Sequence, residues 1–305
     1  MSILVTGGAG LVGMALRQRL AELGRPVVAT DAVSHGRNDP DLIIAQLTNQ
    51  AAVEALFATY NIDSVIHCGA ISGPMLARDN PGLVVDVNIG GTARLMDQAR
   101  RHRVRRFVFC SSISVYGSVG PGPIDEATPL RPTSVYAASK VSGEALLDAF
   151  LTEHGLDGVS LRIARVYGPH RRGNCVLADV IRNHLADSET IISCDPEFMY
   201  HYVHVDDVVS AIVTALDAPS LPQRRYNVAG GEALTMPQIA TTAEQVLPGA
   251  RIAMVPGQDD VPDIQRDFDI SAIARDLGWT PQVSLARGIA LYSESLARTA
   301  AAHEL

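Results

Sequence analysis

The chain has 305 residues, of which 47% are hydrophobic, and this length allows a buried core and more than one small domain. Its formal net charge of −8 is not gathered into long runs of one sign, which argues against nucleic acid or a membrane surface as the main partner. No apolar run approaches the ~18 residues needed to span a membrane, and the four cysteines form no CxxC pair.

Short apolar segments alternate with helical patterns through the first half of the chain. A strand pattern begins within three residues of the start, so we expect no signal peptide and a cytoplasmic protein. Near-continuous apolar strands between helices are typical of an α/β fold with a doubly wound parallel sheet, the Rossmann arrangement. The pattern predicts strands at 3–6, 27–30, 65–67, 107–110 and 159–163, and helices at 11–23 and near 49–59, 83–102 and 136–154.

The segment "TGGAGLVG", residues 6–13, follows the first strand and opens the first helix. Glycines let the backbone approach a pyrophosphate, and a helix N-terminus offers free N–H groups and a positive dipole end. The segment therefore predicts a dinucleotide site that comprises Gly7, Gly10, Leu11, Val12 and Gly13.

An acidic residue, Asp31, ends the second strand, 18 residues beyond Gly13. A carboxylate at this place accepts hydrogen bonds from an adenosine ribose and repels a 2′-phosphate, so it favours NAD over NADP. The nearby cation Arg37 would weaken this preference. Asp31 as an ordinary turn residue is the alternative interpretation.

The segment "SVYAASK" places Tyr136 and Lys140 four residues apart, on one face of a predicted helix. Such a pair can be a mere exposed helix pair. However, hydroxyls at Ser111 and Ser112 end a preceding strand, where α/β proteins form ligand sites. Beside an ammonium, a tyrosine phenolate can take the proton of a substrate alcohol while hydride leaves the same carbon, and a serine steadies the oxygen.

The chain resembles the extended short-chain dehydrogenase/reductases, the NAD-dependent epimerase/dehydratase family, over nearly its whole length. Several independent motifs occur in the family's order: "TGGAGLVG", Asp31, "HCGA" at 67–70, "VNIGGT" at 87–92, "SSISVYG" at 111–117, "YAASK" at 136–140, "RVYGP" at 165–169, "YVHVDDV" at 202–208, "YNVAGGE" at 226–232 and "LGWTP" at 277–281.

The resemblance implies that Ser112, Tyr136 and Lys140 are catalytic, with NAD as the cofactor. It also implies a homodimer that pairs the helices near 83–102 and 136–154, and cofactor contacts from Tyr136, Lys140, Gln46, Leu47, Cys68, Gly69, Ala70 and Asn88. "HCGA" stands where the family usually has "HLAA", and Gln46 stands where it has an aspartate; a glutamine there can still bind the adenine amino group.

Pro, Gly and short elements become frequent after about residue 168. We therefore predict a Rossmann domain at 1–168 that binds NAD. Residues 169–305 are predicted to form mainly a smaller, irregular α/β domain that binds substrate, with some segments that recross to the first domain.

The family's 4,6-dehydratases carry Asp-Glu directly after the catalytic serine or threonine, whereas this chain has Ile113 and Ser114. Dehydration of a sugar is therefore not expected. His204, Asp206 and Asp207 resemble a metal or acid/base cluster, but we interpret Asp206 as the cap of the following helix and assign no metal.

Two departures from the family concern the substrate. Arg165 replaces an asparagine, and Tyr200 replaces an arginine, both of which contact the diphosphate of a nucleotide sugar in the family. Arg165 is interpreted either as a ligand for phosphate or carboxylate or as half of a buried ion pair. Ser72, Ser112 and Asn174 complete the predicted substrate contacts.

The sequence thus predicts an NAD-dependent enzyme that oxidises a sugar or sugar-nucleotide carbinol and resembles a 4-epimerase. A dehydrogenase of a free sugar, a sugar acid or another small hydroxylated compound is the first alternative. A non-catalytic NAD-binding sensor is the second, and the intact set of Ser112, Tyr136 and Lys140 argues against it.

Overall fold

The computed structural model describes residues 1–73, 75–171, 175–258 and 263–303. Its strands are β1 (Ser2–Thr6), β2 (Val27–Asp31), β3 (Leu42–Ile44), β4 (Ile62–His67), β5 (Arg106–Ser112), β6 (Gly158–Ile163), β7 (Arg165–Tyr167), β8 (Glu189–Cys194), β9 (Met199–Tyr200), β10 (Tyr202–His204), β11 (Arg225–Val228), β12 (Leu234–Thr235) and β13 (Arg251–Pro256).

The helices are α1 (Leu11–Glu22), α2 (Gln50–Thr59), α3 (Pro81–Val85), α4 (Thr92–Arg101), α5 (Val135–His154), α6 (Val176–Leu185), α7 (Val205–Asp217), α8 (Met236–Val246), α9 (Ser271–Leu277) and α10 (Leu285–His303). A π-helical turn, Asp86–Gly91, joins α3 to α4, and a 3-10 turn, Ile113–Tyr116, follows β5. None of the helices in these ranges is both long and apolar enough to cross a membrane.

Seven parallel strands form one sheet in the order β11-β6-β5-β4-β1-β2-β3. The predicted doubly wound parallel sheet is therefore confirmed, and its order is that of a Rossmann fold extended by one strand. The strand order reverses between β1 and β4, and ligands of such sheets bind beyond the carboxyl ends of the strands at this point.

Two apolar clusters cover the two faces of the sheet. One includes Leu16 and Leu20 of α1 together with α7, and the other includes Leu95 of α4 and Leu147 of α5. A third cluster packs α6, α8 and α10 around the short strands that follow residue 168. The edge strand β11 also lies beyond residue 168, but it joins the central sheet. The domain boundary at residue 168 stays a prediction.

The helix predicted near 83–102 is not continuous, because α3, the π-helical turn and α4 share this stretch. π-helical turns are found frequently at functional sites. The helix predicted near 136–154 is confirmed as α5. Ser134 caps its N-terminus by accepting a hydrogen bond from the N–H of Ala137, and Gly155 ends it in the left-handed region.

Candidate active site

The glycine segment forms a tight turn between β1 and α1. Gly7 has a φ of +69°, and a Cβ there would lie 2.8 Å from the carbonyl carbon of Cys68. A Cβ on Gly13 would lie 2.0 Å from the oxygen of Gly7, so both positions require glycine. No side chain caps α1 at Gly10, and the N–H groups of residues 11–13 have no acceptor within the helix. The turn therefore presents a helix N-terminus that fits a pyrophosphate.

Asp31 lies beside this turn, at the carboxyl end of β2. Its carboxylate accepts hydrogen bonds from the N–H groups of Ala9 (3.0 Å) and Ala32 (2.7 Å). A carboxylate has about four acceptor sites, so capacity remains for ribose hydroxyls. The guanidinium of Arg37 donates to the carbonyl of Ala9 at 3.0 Å, which places this cation at the same turn.

A buried histidine supports the floor of the site. His67 Nδ1 lies 2.7 Å from Thr6 Oγ1, and Nε2 lies 2.8 Å from Thr92 Oγ1. Thr6 Oγ1 also accepts a hydrogen bond from the N–H of Gly69 at 3.1 Å. Burial, and then the charge of Lys140, lowers the pKa of His67 to about 3, so this imidazole is neutral at physiological pH. It links β1, β4 and α4.

Asn88, in the π-helical turn, connects the loop after β4 to α5. Its amide exchanges hydrogen bonds with the main chain of Ile71 at 2.9 and 3.1 Å and donates to Ser139 Oγ at 3.0 Å. Ser139 Oγ in turn donates to the carbonyl of Tyr136 at 2.7 Å. Asn88 thus positions the segment that contains Ala70 as well as the helix that carries Tyr136.

The face of α5 that contains Tyr136 and Lys140 packs against β5. Both side chains are buried, and Lys140 Nζ donates to the carbonyl of Cys110 at 2.8 Å. The same ammonium lies 5.0 Å from the ring centre of Phe109 and 5.8 Å from that of Tyr136. A Cβ on Gly143 would lie 2.4 Å from Phe109, so the glycine allows this close approach. The pair is therefore not an exposed helix pair.

Ser112 ends β5 and caps the 3-10 turn that follows. Its Oγ accepts from the N–H of Ser114 at 3.2 Å and donates to Ser114 Oγ at 3.1 Å. Ile113 and Ser114 occupy this turn, so neither position beside Ser112 carries a carboxylate.

A buried ion pair that our sequence reasoning missed fixes α5 to the sheet. Glu144 and Arg162 are each 2% exposed and form a hydrogen-bonded salt bridge of 2.7 Å. Ser111 Oγ donates to Glu144 at 2.6 Å, and Arg162 also donates to Tyr116 Oη at 2.9 Å. Burial lowers the pKa of Arg162, but its hydrogen bonds to the Glu144 carboxylate and the charge of that group outweigh this and raise it overall. The network orients both β5, which ends in Ser112, and α5.

Two predicted adenine-side residues follow β3. Gln46 is exposed, and its carbonyl accepts from the N–H of Asn49 at 3.0 Å. Leu47 packs against two glycines. A Cβ on Gly91 would lie 2.7 Å from the Cβ of Leu47, and a Cβ on Gly69 would lie 3.3 Å from the Cδ1 of Leu47. Leu47 therefore lies beside the loop after β4.

Two of the predicted substrate residues lie together. The guanidinium carbon of Arg165 is 5.1 Å from the ring centre of Tyr200 and 6.0 Å from that of Tyr202. Tyr200 is buried, and its ring face makes a cation–π contact with the Arg165 guanidinium. Ser72 is exposed in the loop after β4. Asn174 lies outside the described residues.

The expected helix cap at Asp206 is wrong. α7 begins at Val205, two residues earlier than a cap at Asp206 requires, and His204 is the capping residue, whose Nδ1 accepts from the N–H of Asp206 at 3.3 Å. Asp207 is buried and accepts from the N–H groups of Gln282 (2.8 Å) and Val283 (3.0 Å). Both aspartates therefore have structural partners, and no group of three metal-binding side chains is found among the described residues.

Comparison with known proteins adds to this geometry. A profile of the NAD dependent epimerase/dehydratase family matches residues 3–229. The chain is 34% identical to a UDP-glucose 4-epimerase of Mycolicibacterium smegmatis, with 95% of this chain and 96% of that protein covered. It is 31% identical to a dTDP-glucose 4,6-dehydratase of Streptomyces niveus, with 95% and 90% covered. The structure of a Thermus thermophilus UDP-glucose 4-epimerase in complex with NAD superimposes with a TM-score of 0.87 at 28% identity and covers 97% of this chain and 99% of that one.

Proposed function

The chain belongs to the NAD-dependent epimerase/dehydratase family, and we propose that it acts on a nucleotide sugar as a 4-epimerase, by transient oxidation of a carbinol. One observation carries the proposal. Tyr136 and Lys140 are buried on the face of α5 that packs against the end of β5, with Ser112 at the end of that strand. This arrangement supplies an acid/base and a hydroxyl donor at the carboxyl edge of the sheet.

The residues present fit the family's cofactor. The turn at Gly7 and Gly13 leaves no room for a Cβ, the start of α1 offers free N–H groups, and Asp31 offers a carboxylate to a ribose. NAD held by these groups supplies the acceptor for the hydride of the substrate carbinol.

In this proposal Tyr136, as the phenolate, takes the proton of the substrate hydroxyl. The buried ammonium of Lys140 lies 5.8 Å from the ring centre of Tyr136 and so places a positive charge beside this acid/base. Ser112 donates a hydrogen bond to the oxygen as it becomes a carbonyl. The ketone would then turn, the hydride would return to its opposite face, and Tyr136 would return the proton to the oxygen, so epimerisation needs no net oxidation.

Epimerisation fits the site better than dehydration. Loss of water from a sugar needs an acid and a base beside the catalytic serine, and the chain has Ile113 and Ser114 there. Relatives include a dTDP-glucose 4,6-dehydratase, but the residues of the 3-10 turn favour the epimerase activity.

The position of Arg165 favours a second candidate, a dehydrogenase of a sugar acid. A guanidinium supported by Tyr200 and Tyr202 suits a carboxylate or phosphate of the substrate. In that case NADH is a product.

Two measurements, NADH formation and product stereochemistry, separate these candidates. The protein is incubated with UDP-glucose or with a free uronic acid, each with NAD, while NADH absorbance and product stereochemistry are followed. Interconversion of the UDP-sugar without accumulation of NADH supports the epimerase. NADH formed in proportion to an oxidised uronic acid supports the dehydrogenase and contradicts the first proposal.

We further propose a cytoplasmic homodimer that pairs the helices near 83–102, which comprise α3 and α4, and the helix α5 with their counterparts. Leu83, Val85 and Val135 are 42–43% exposed on these helices, and such apolar side chains suit a subunit interface. Free cysteines suit a reducing compartment. Ultracentrifugation tests the interface: Leu83→Glu should give monomers, whereas Leu185→Glu, at an exposed leucine of α6, should leave the dimer intact. A dimer that survives Leu83→Glu contradicts this interface.

A further inference from the structure

Two cysteines lie side by side in the floor of the site. Cys68 follows β4 and Cys110 lies in β5, and these parallel strands pair His67 with Phe109, one residue earlier. The two sulfur atoms are 3.2 Å apart and hydrogen-bonded, and both cysteines are free. The other two, Cys175 and Cys194, belong to the third apolar cluster.

The pair is placed for a disulfide. Neighbouring strands lie about 4.8 Å apart, which falls within the usual Cα separation of disulfide-bonded cysteines. The sulfurs would approach by about 1.2 Å, from 3.2 Å to the bonded distance of roughly 2.0 Å. Cys68 is partly exposed as a residue, while Cys110 is only 8% exposed.

Both cysteines adjoin groups that form the site. The main chain of Cys68 borders the glycine turn, because a Cβ on Gly7 would lie only 2.8 Å from the carbonyl carbon of Cys68. The carbonyl of Cys110 accepts the hydrogen bond from Lys140 Nζ. A covalent bond between the two side chains therefore acts on the cofactor turn and on the lysine at once.

We propose that Cys68 and Cys110 form a reversible disulfide, with a peroxide as the oxidant, and that this bond weakens NAD binding. The sulfur of Cys68 attacks one peroxide oxygen, the O–O bond breaks, and a sulfenic acid and one water form. The sulfur of Cys110 then attacks Cys68, the S–O bond breaks, and a second water leaves. The two thiols lose two electrons and the peroxide gains them. A dithiol reductant reverses the reaction by exchange.

The hydrogen bond with Cys110, and then burial, raises the pKa of the Cys68 thiol, so Cys68 rests in the thiol form at neutral pH. Because the thiolate is the reacting species, oxidation is slow and the disulfide accumulates only during sustained exposure to peroxide. This behaviour suits a cytoplasmic protein, in which disulfides are usually transient and redox-sensing.

The test uses purified full-length protein treated with hydrogen peroxide and then alkylated under denaturing conditions. Mass spectrometry should find a peptide that links Cys68 to Cys110, and calorimetric titration should find NAD affinity at least about tenfold weaker, restored by dithiothreitol. In Cys110→Ala, peroxide should produce no linked peptide and should leave the NAD affinity equal to that of the untreated variant. The matched control Cys175→Ala should respond as the wild type does.

Two results would overturn the proposal. One is full alkylation of both cysteines after peroxide treatment. The other is a linked peptide with unchanged NAD affinity, which would show that the disulfide has no influence on the site. Neither result depends on the substrate, so the proposed epimerase activity stands or falls separately.

Discussion

The buried pair of Glu144 and Arg162 should contribute more to stability than any other ion pair that α5 forms within the described residues. Glu144→Gln removes the charge but keeps the size of the side chain. It leaves the Arg162 guanidinium, which is 2% exposed, without its counter-ion and turns an amide donor towards it. Breaking a buried pair in this way costs about 3–5 kcal/mol of the free energy of unfolding.

Two graded variants on the same network calibrate this magnitude. Ser111→Ala removes one hydrogen bond to the Glu144 carboxylate and should cost about 1.5–3 kcal/mol. Asp148→Asn, one turn further along α5, breaks a pair with Arg225 whose side chains are 40% and 36% exposed, and it should cost less than about 1 kcal/mol.

Urea unfolding of the four proteins at one pH, followed by fluorescence, gives the free energies by linear extrapolation. The expected order of destabilisation is Asp148→Asn, then Ser111→Ala, then Glu144→Gln. If the free energy of unfolding of Glu144→Gln lies within about 1 kcal/mol of the wild-type value, the buried pair does not anchor α5 to the sheet.

Three further predictions concern the cofactor, the pH and the oxyanion donor. Asp31→Asn removes the charge that repels a 2′-phosphate, so the ratio of NADP to NAD affinity should rise about tenfold in calorimetric titrations; an unchanged ratio would show that Asp31 does not discriminate. Burial lowers the pKa of His67 to about 3 and that of His201 to about 4, from ordinary values of 6.5. The unfolded chain therefore binds more protons below pH 6.5, and each histidine should lower the free energy of unfolding by about 2 kcal/mol between pH 6.5 and pH 5; equal stability in urea at pH 7 and pH 5 would contradict this. Ser112→Ala should lower kcat about 10²–10³-fold with NAD affinity retained, and a wild-type rate would remove Ser112 from the mechanism.

Local spacing predicted the parts of the site that lie on one element or one turn. Tyr136 and Lys140 share a face because they are four residues apart on a helix, and the glycine turn lies between β1 and α1 as its pattern indicates. In hindsight the same spacing extends to Glu144. The arginine at 162, inside an apolar strand, was a further signal that a buried partner must exist.

Features that depend on tertiary contacts could not be predicted in this way. Glu144 lies on α5 and its partner lies 18 residues away on β6, and His67 contacts hydroxyls from two other elements. β11 joins the sheet beside β6 although α6, α7 and several short strands lie between them in the chain. The cap of α7 was misplaced by two residues, because a histidine there competes with the aspartate that usually takes this role.

The most direct test of the account is the rate of Tyr136→Phe with NAD bound. This variant keeps the ring packed against β5 and removes only the phenol oxygen that transfers the proton. Conversion of the substrate should fall about 10²–10⁴-fold, while NAD affinity stays within about a factor of two of wild type. Conversion at the wild-type rate would contradict the assignment of Tyr136 as the acid/base and, with it, the proposed chemistry.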